Sequence, residues 1–251
     1  MPPIPPVWRD AFRVRAYEID PAGRLTLPTL CNYFQETAGN HATAFDLASD
    51  QLLAGGIAWV LARLQVEVER YPAWREDVTV ETWPSAFDGL YAQRDFVATD
   101  EHGETIARAT SQWFVMDVAR RRPIRLPAAV AEIERPDRPH ALDPDRTPLP
   151  DFGEPDAERL FSVRRHDLDL NQHVNNVRYV EWALEAVPDA VRDAHTLRRL
   201  DVHFRAESVY GDTVRSACSP PEPSGDGVAL AHEVTRHRDG RLLARARTAW
   251  R

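Results

Sequence analysis

Lysine is absent from this chain. All 31 basic residues among its 251 are arginine, so Schiff-base catalysis, pyridoxal phosphate attachment and a phosphate-loop lysine are excluded. Cysteine is nearly absent too: Cys31 and Cys218 cannot build a disulfide scaffold or a multi-cysteine metal site. No apolar run approaches the roughly 18 residues of a membrane span, and the opening MPPIPPVWRD has neither the basic nor the apolar region of a signal peptide. Positive charge is in deficit, at a net −8, which argues against capture by nucleic acid or an anionic membrane surface. Histidines at metal-ligand spacing are missing as well; His232 and His237 would face opposite sides of a strand. These absences fit a cytoplasmic protein.

What is present is a repeat. VRAYEIDPAGRLTLPTLCNYFQETA from Val14 aligns without a gap on VRRHDLDLNQHVNNVRYVEWALEAV from Val163, at an offset of 149. ARLQVEVE then matches RRLDVHFR at an offset of 136, and ARATSQW matches ARARTAW at 137. Three matches in the same order mark a tandem duplication. Each copy carries a helix pattern: Leu27, Leu30, Cys31, Phe34 and Ala38 after Thr26, and Val177, Val180, Leu184 and Val187 after Asn175 and Asn176, either of which could cap. Alternating runs follow, at Leu64–Val68 and Leu200–Ala206, then at Leu90–Thr99, Thr105–Val115, Val228–Thr235 and Leu242–Trp250. Each unit reads as a short strand, one long helix and an antiparallel sheet, an α+β arrangement. The expected division is 1–133 for the first unit, 134–160 for an extended linker and 161–251 for the second. Pro136, Pro139, Pro144, Pro148, Pro150 and Pro155 keep that linker out of helix and central strand.

A duplicated chain carries its own control, because a site present once should differ between copies. The largest difference precedes the helix, where Asp20-Pro-Ala22-Gly-Arg24 in the first copy faces Asp169-Leu-Asn171-Gln-His173 in the second. A carboxylate can activate water or attack directly, an imidazole moves protons near neutral pH, and a carboxamide orients a carbonyl or water. A helix N-terminus beside them can polarise a carbonyl. Asp169, Asn171 and His173 are therefore the catalytic candidates; Asn175 and Asn176 read first as caps, and Asp20 as structural.

VRRHDLDLNQHVNNVRYVEWALEAVP resembles the signature of the acyl–acyl-carrier-protein (acyl-ACP) thioesterases. VRAYEIDPAGRLTLPTLCNYFQETAGNHA and WVLARLQVEVERYPAWREDVTVETWPS are similar to that family's amino-terminal blocks. The resemblance implies a tandem (double) hotdog fold, each antiparallel sheet wrapped around a long helix. It implies hydrolysis of fatty acyl-ACP thioesters to free fatty acid and holo-ACP, without a metal or organic cofactor. It assigns Asp169, Asn171 and His173 to catalysis and adds Glu207, the family's glutamate, in FRAESVYGD. Ser208 stands where the family usually has cysteine, so no thiolate is available there and direct attack by water is favoured. Glu207 is the preferred base and Asp169 its competitor; His173 would position water or protonate the leaving thiolate. Strand parity places Glu207 on the polar side with Asp201, His203 and Arg205, unless a bulge re-aims it.

The acyl chain requires apolar walls, for which Trp59, Trp83, Phe87, Tyr91 and Trp113 are candidates. An acidic carrier protein would dock on a basic patch; Arg120, Arg121, Arg122 and Arg125 form one cluster, Arg198 and Arg199 another. Rival readings are a thioesterase for acyl-coenzyme A or a polyketide pathway, a hotdog hydratase, and a noncatalytic acyl-thioester-binding protein. The duplication supplies both halves of a hotdog pair, allowing a monomer, whereas open sheet edges allow a homodimer.

Overall fold

The computed structural model describes residues 3–143, 147–149 and 151–251, so Pro144 and Pro150 of the expected linker lie outside the described residues. The chain forms two compact units, Met1–Ala62 with Val68–Pro144, and Arg63–Glu67 with Asp145–Arg251.

In unit 1, β1 (Trp8–Arg13) leads to α1 (Leu27–Ala44) and the short α2 (Ser49–Ala54). Next come β2 (Ile57–Val68), β3 (Asp77–Phe87), β4 (Tyr91–Thr99), β5 (Thr105–Asp117), β6 (Arg122–Ile124) and α3 (Ala128–Ala131). The sheet order is β1-β3-β4-β5-β2, with β6 paired to β5. Thr26 caps α1 by accepting the Thr29 N–H at 3.3 Å, and Pro28 occupies the first turn, where its missing N–H costs nothing. Leu27, Leu30, Cys31, Phe34 and Ala38 are all buried, as their spacing predicts. The Phe34 ring meets Phe96 of β4 at 5.1 Å. Even-numbered residues of β4 therefore face α1, and odd-numbered ones face away.

Asp95 on that outer face is fully buried because the first part of the linker covers it. The Ala141 N–H donates to Asp95 Oδ2 at 2.9 Å, with His140 Nδ1 at 3.0 Å from the same oxygen. Arg138 bonds Glu81 at 2.8 Å and lies over the Trp83 ring at 3.9 Å. Trp83, paired in register with Asp95, thus packs under the linker and not toward α1. Tyr91 is exposed. Trp59 and Phe87 instead pack with Phe45 and Ile57 against a cluster of Leu47, Leu52, Ala92, Val115, Leu126 and Val130.

Unit 2 contains β7 (Ala157–Ser162), α4 (Asn176–Glu185), α5 (Asp189–Ala194), β8 (Leu197–Phe204), β9 (Thr213–Cys218), β10 (Glu222–Ser224), β11 (Gly227–Arg236) and β12 (Arg241–Trp250). Its sheet runs β8-β12-β11-β9-β7, with Arg63–Glu67 antiparallel to β8. Strand β7 takes in the last residues of the segment expected as linker. Alternation alone finds neither β3, interrupted by Pro84, nor the short β9.

The second helix is shorter than its sequence pattern suggests. It stops at Glu185, so Val187 is buried beyond its end. Pro188 has no N–H to return to the Leu184 carbonyl and its ring would crowd that oxygen. The Leu184 carbonyl instead accepts the Val187 N–H at 3.1 Å and Arg192 Nη2, while Arg192 Nε bonds the Val187 carbonyl at 3.3 Å. In unit 1 the aligned residue is Gly39, and α1 continues through it. No helix among the described residues is long and apolar enough to cross a membrane.

Candidate active site

The turn ahead of each helix is built in the same way. In unit 1, Asp20 Oδ1 accepts the N–H groups of Ala22 and Arg24, both at 2.9 Å, and the Asp20 N–H bonds the Arg24 carbonyl at 2.8 Å. In unit 2, Asp169 Oδ1 accepts from Asn171 and His173 at 2.8 and 3.2 Å, and its N–H bonds the His173 carbonyl at 2.8 Å. The fourth residue is left-handed in both, Gly23 at φ 79° and Gln172 at φ 62°. One oxygen of Asp169 therefore does the work that Asp20 does in the copy lacking the other candidates.

A second loop meets this turn, again alike in both units. Each β-strand ahead of it ends in a bulge: Glu69 and Arg70 donate to the single carbonyl of Ile106, and Arg205 and Ala206 to that of Leu243. This irregularity breaks the alternation carried down β8, which ends at Phe204. Glu207 thereby leaves the polar face expected from parity, and the bulge condition attached to that expectation is met. The Leu25 N–H then donates to the Pro72 carbonyl at 2.8 Å and the Val174 N–H to that of Ser208 at 2.9 Å. Arg24 bridges Ala73 as His173 bridges Val209.

On this shared frame the side chains differ. Ala22, Arg24, Tyr71 and Pro72 of unit 1 stand where Asn171, His173, Glu207 and Ser208 stand in unit 2. Arg24 folds back onto Asp20 Oδ2 at 3.2 Å, a closed ion pair. His173 Nδ1 instead faces Glu207 Oε2 at 3.5 Å, with the two side chains 37% and 30% exposed. Both thus remain open to water, and an imidazole beside a carboxylate can relay a proton between water and a leaving group. Asn171, within two residues of His173 on the same turn, is partly buried.

Ser208 is fully buried. Its Oγ donates to Asp212 Oδ2 at 2.9 Å, and its N–H donates to the Tyr179 hydroxyl at 2.9 Å. A hydroxyl so enclosed supports the loop and has no path to a substrate carbonyl. Asn175 caps α4, its Oδ1 accepting the Val177 N–H at 2.9 Å, while Asn176 is the first helical residue. Both are helix-end residues, as their positions suggest. Cys31 and Cys218 are buried, and burial pushes their thiols up to about 12 and about 11, so neither is a thiolate at neutral pH.

Each arginine cluster is placed within its own unit. Arg198 and Arg199 lie at the start of β8, the opposite end from Glu207, and Arg199 pairs with Glu67 at 3.2 Å. Arg120, Arg121, Arg122 and Arg125 are exposed around the β5–β6 hairpin of unit 1, with Arg120 turned back onto Asp117. Among the described residues no cluster of three or more His, Cys, Asp or Glu side chains could hold a metal ion. Tyr179 and Asp212 are the members of this neighbourhood that the motif reading missed. The available signal was in the internal alignment, where Tyr179 replaces Leu30.

Residues 5–133 match the family model for the acyl-ACP thioesterase N-terminal domain, and residues 153–251 match that for the C-terminal domain. The chain belongs to the acyl-ACP thioesterase family. Among curated relatives of this thioesterase-family chain, a palmitoyl-acyl carrier protein thioesterase, chloroplastic, from Cuphea hookeriana is 33% identical over 98% of the chain. A dodecanoyl-[acyl-carrier-protein] hydrolase, chloroplastic, from Cinnamomum camphora is 30% identical over 98% of the chain and 68% of its own length. The chain spans 62% of the Cuphea relative. The solved 12:0-ACP thioesterase from Umbellularia californica matches with a TM-score of 0.87 at 30% identity, over 98% of this chain and 94% of that one. An acyl-ACP thioesterase from Bacteroides thetaiotaomicron matches at 0.84 and 26% identity, over 98% of each. The double hotdog is therefore the fold of this member of the family.

Proposed function

We propose that this chain hydrolyses fatty acyl-ACP thioesters to free fatty acid and holo-ACP, at the His173–Glu207 pair of unit 2. The observation that carries the reading is the internal difference: one backbone frame is built twice, and only the second copy bears Asn171, His173 and Glu207.

In this mechanism Glu207 takes a proton from water as the water oxygen attacks the thioester carbonyl. A carbon–oxygen bond forms, and the carbonyl electrons move onto oxygen to give a tetrahedral oxyanion. Collapse of that intermediate breaks the carbon–sulfur bond and expels a thiolate. The proton gained by Glu207 passes through His173, 3.5 Å away, to the sulfur or to solvent. Asn171 orients the carbonyl or the water through its amide, while Asp169 holds the turn and is not the base. Water attacks directly because Ser208 is enclosed and both thiols are buried, and since thiolates leave readily the sulfur needs no strong acid. For the acyl chain we propose the apolar cluster around Leu47, Leu52 and Val115 of unit 1, where Phe45, Ile57, Trp59 and Phe87 are only partly buried and retain apolar surface for a ligand. A cytoplasmic setting belongs to the same reading, supported by two free cysteines in a chain of this size.

The test is thiol release from a long-chain acyl-ACP beside the matching acyl-coenzyme A. Turnover favouring the carrier-bound donor, and lost in Glu207→Gln and His173→Ala with folding intact, is expected. Tight binding of acyl ligand without release of thiol from either donor would sink the hydrolase reading.

A further inference from the structure

The backbone frame shared by the two units contains one addition confined to unit 2. Tyr179 of α4 is buried, its ring edge-on to Trp182 at 5.5 Å and to Phe204 at 6.1 Å. Its hydroxyl accepts the Ser208 N–H at 2.9 Å. In unit 1 the aligned residues are Leu30, which has no hydroxyl, and Pro72, which has no N–H. Donor and acceptor are thus both missing from the copy without the site, and both present in the copy with it. Ser208 is then fastened a second time, through Oγ to Asp212; in unit 1 the aligned Glu76 bonds Arg70 instead, at 2.7 Å, and Pro72 has no hydroxyl to offer. Two added bonds on the residue after Glu207 are more than the loop needs for folding, since unit 1 forms the same loop with neither.

We propose that Tyr179 is a positioning residue: by holding the Ser208 N–H it sets the backbone that aims the Glu207 carboxylate at His173. This rests on the reading of Glu207 as the hydrolytic base. Tyr179 touches neither water nor substrate in this role. Burial first, and then the nearby Glu207 and Asp212 carboxylates, raise the phenol well above its ordinary range, against the opposing Ser208 N–H bond. The hydroxyl is therefore neutral and a constant acceptor across the working pH range.

Tyr179→Phe keeps the ring packing and deletes only the oxygen. With long-chain acyl-ACP as substrate, kcat is expected to fall about tenfold with KM little changed, because the lost interaction acts on the chemical step. The same substitution made in a Glu207→Gln background is expected to cost nothing further, which a merely structural role would not produce. Ser208→Pro deletes the same N–H from the other side, reproducing Pro72 of unit 1, together with the Oγ bond to Asp212, and should lower kcat at least as much as Tyr179→Phe. Ser208→Cys keeps the N–H and a donor toward Asp212 and should retain most of kcat. An unchanged kcat in Tyr179→Phe, or an equal fold loss in both backgrounds, overturns the proposal. Full activity in Glu207→Gln alone would overturn the base assignment itself, and the positioning role with it.

Discussion

Replacing Asp169 by asparagine separates a turn-building carboxylate from a catalytic one. Asparagine keeps the Oδ1 acceptor for the Asn171 and His173 N–H groups, held at 2.8 and 3.2 Å, and exchanges the charge and the second oxygen for a neutral NH2. Asp169→Ala removes both bonds. Each hydrogen bond to a charged acceptor is worth about 1.5–3 kcal/mol, and partial exposure favours the lower end, so Asp169→Ala should lose about 3 kcal/mol of stability. The matching change in unit 1, Asp20→Ala, removes bonds of 2.9 and 2.9 Å and should cost a similar amount without touching the reacting groups. Denaturant titration gives the stability, and thiol release from acyl-ACP gives kcat. The expected pattern is that Asp20→Ala loses stability and keeps kcat, while Asp169→Asn keeps the larger part of both. Glu207→Gln, by contrast, keeps stability and loses about 10²–10⁴ in kcat, as removal of a general base does. Asp169→Asn as inactive as Glu207→Gln, with its fold intact, would refute the argument and make Asp169 the base.

Three further outcomes follow from the packing and the titrating groups. Phe34→Ala, which empties a fully buried site against Phe96, should cost about 3–5 kcal/mol by urea unfolding; a loss below 1 kcal/mol would show that α1 is not seated as described. His41 and His232 are both lowered to about 4, chiefly by burial, so they stay neutral in the folded protein where the unfolded chain is protonated. Stability should therefore be full above pH 6.5 and decline as pH falls from 6.5 toward 4, at up to about 1.4 kcal/mol per unit for each group; a flat profile over that window would contradict their burial. Arg138→Ala with His140→Ala removes the linker's bonds to Glu81 and Asp95 and should speed limited proteolysis between residues 134 and 143, whereas unchanged cleavage would mean that those bonds do not hold the segment.

The duplication, the helix faces and most strands were legible because they depend on spacing within a short stretch. Leu27, Leu30, Cys31 and Phe34 repeat at the helical period, and alternation in β4, β5, β11 and β12 records which side of each strand meets the core. Asn171 and His173 were legible as a difference between copies, Asp169 only by its place beside them since Asp20 matches it, and Glu207 only through family resemblance. Their contacts were not. That Asp169 serves the turn, as Asp20 does, depends on which N–H groups its oxygen reaches. Glu207 reaches His173 because two successive N–H groups share the Leu243 carbonyl, a partner far along the chain that no local pattern encodes. Nothing in the spacing of α4 marks Tyr179, whose hydroxyl meets the Ser208 N–H 29 residues on. Local sequence determined where the backbone coils and which faces are apolar, through steric and hydrophobic preferences of neighbouring residues. Tertiary structure alone decided which polar groups meet, because a hydrogen bond between distant segments exists only once both are placed.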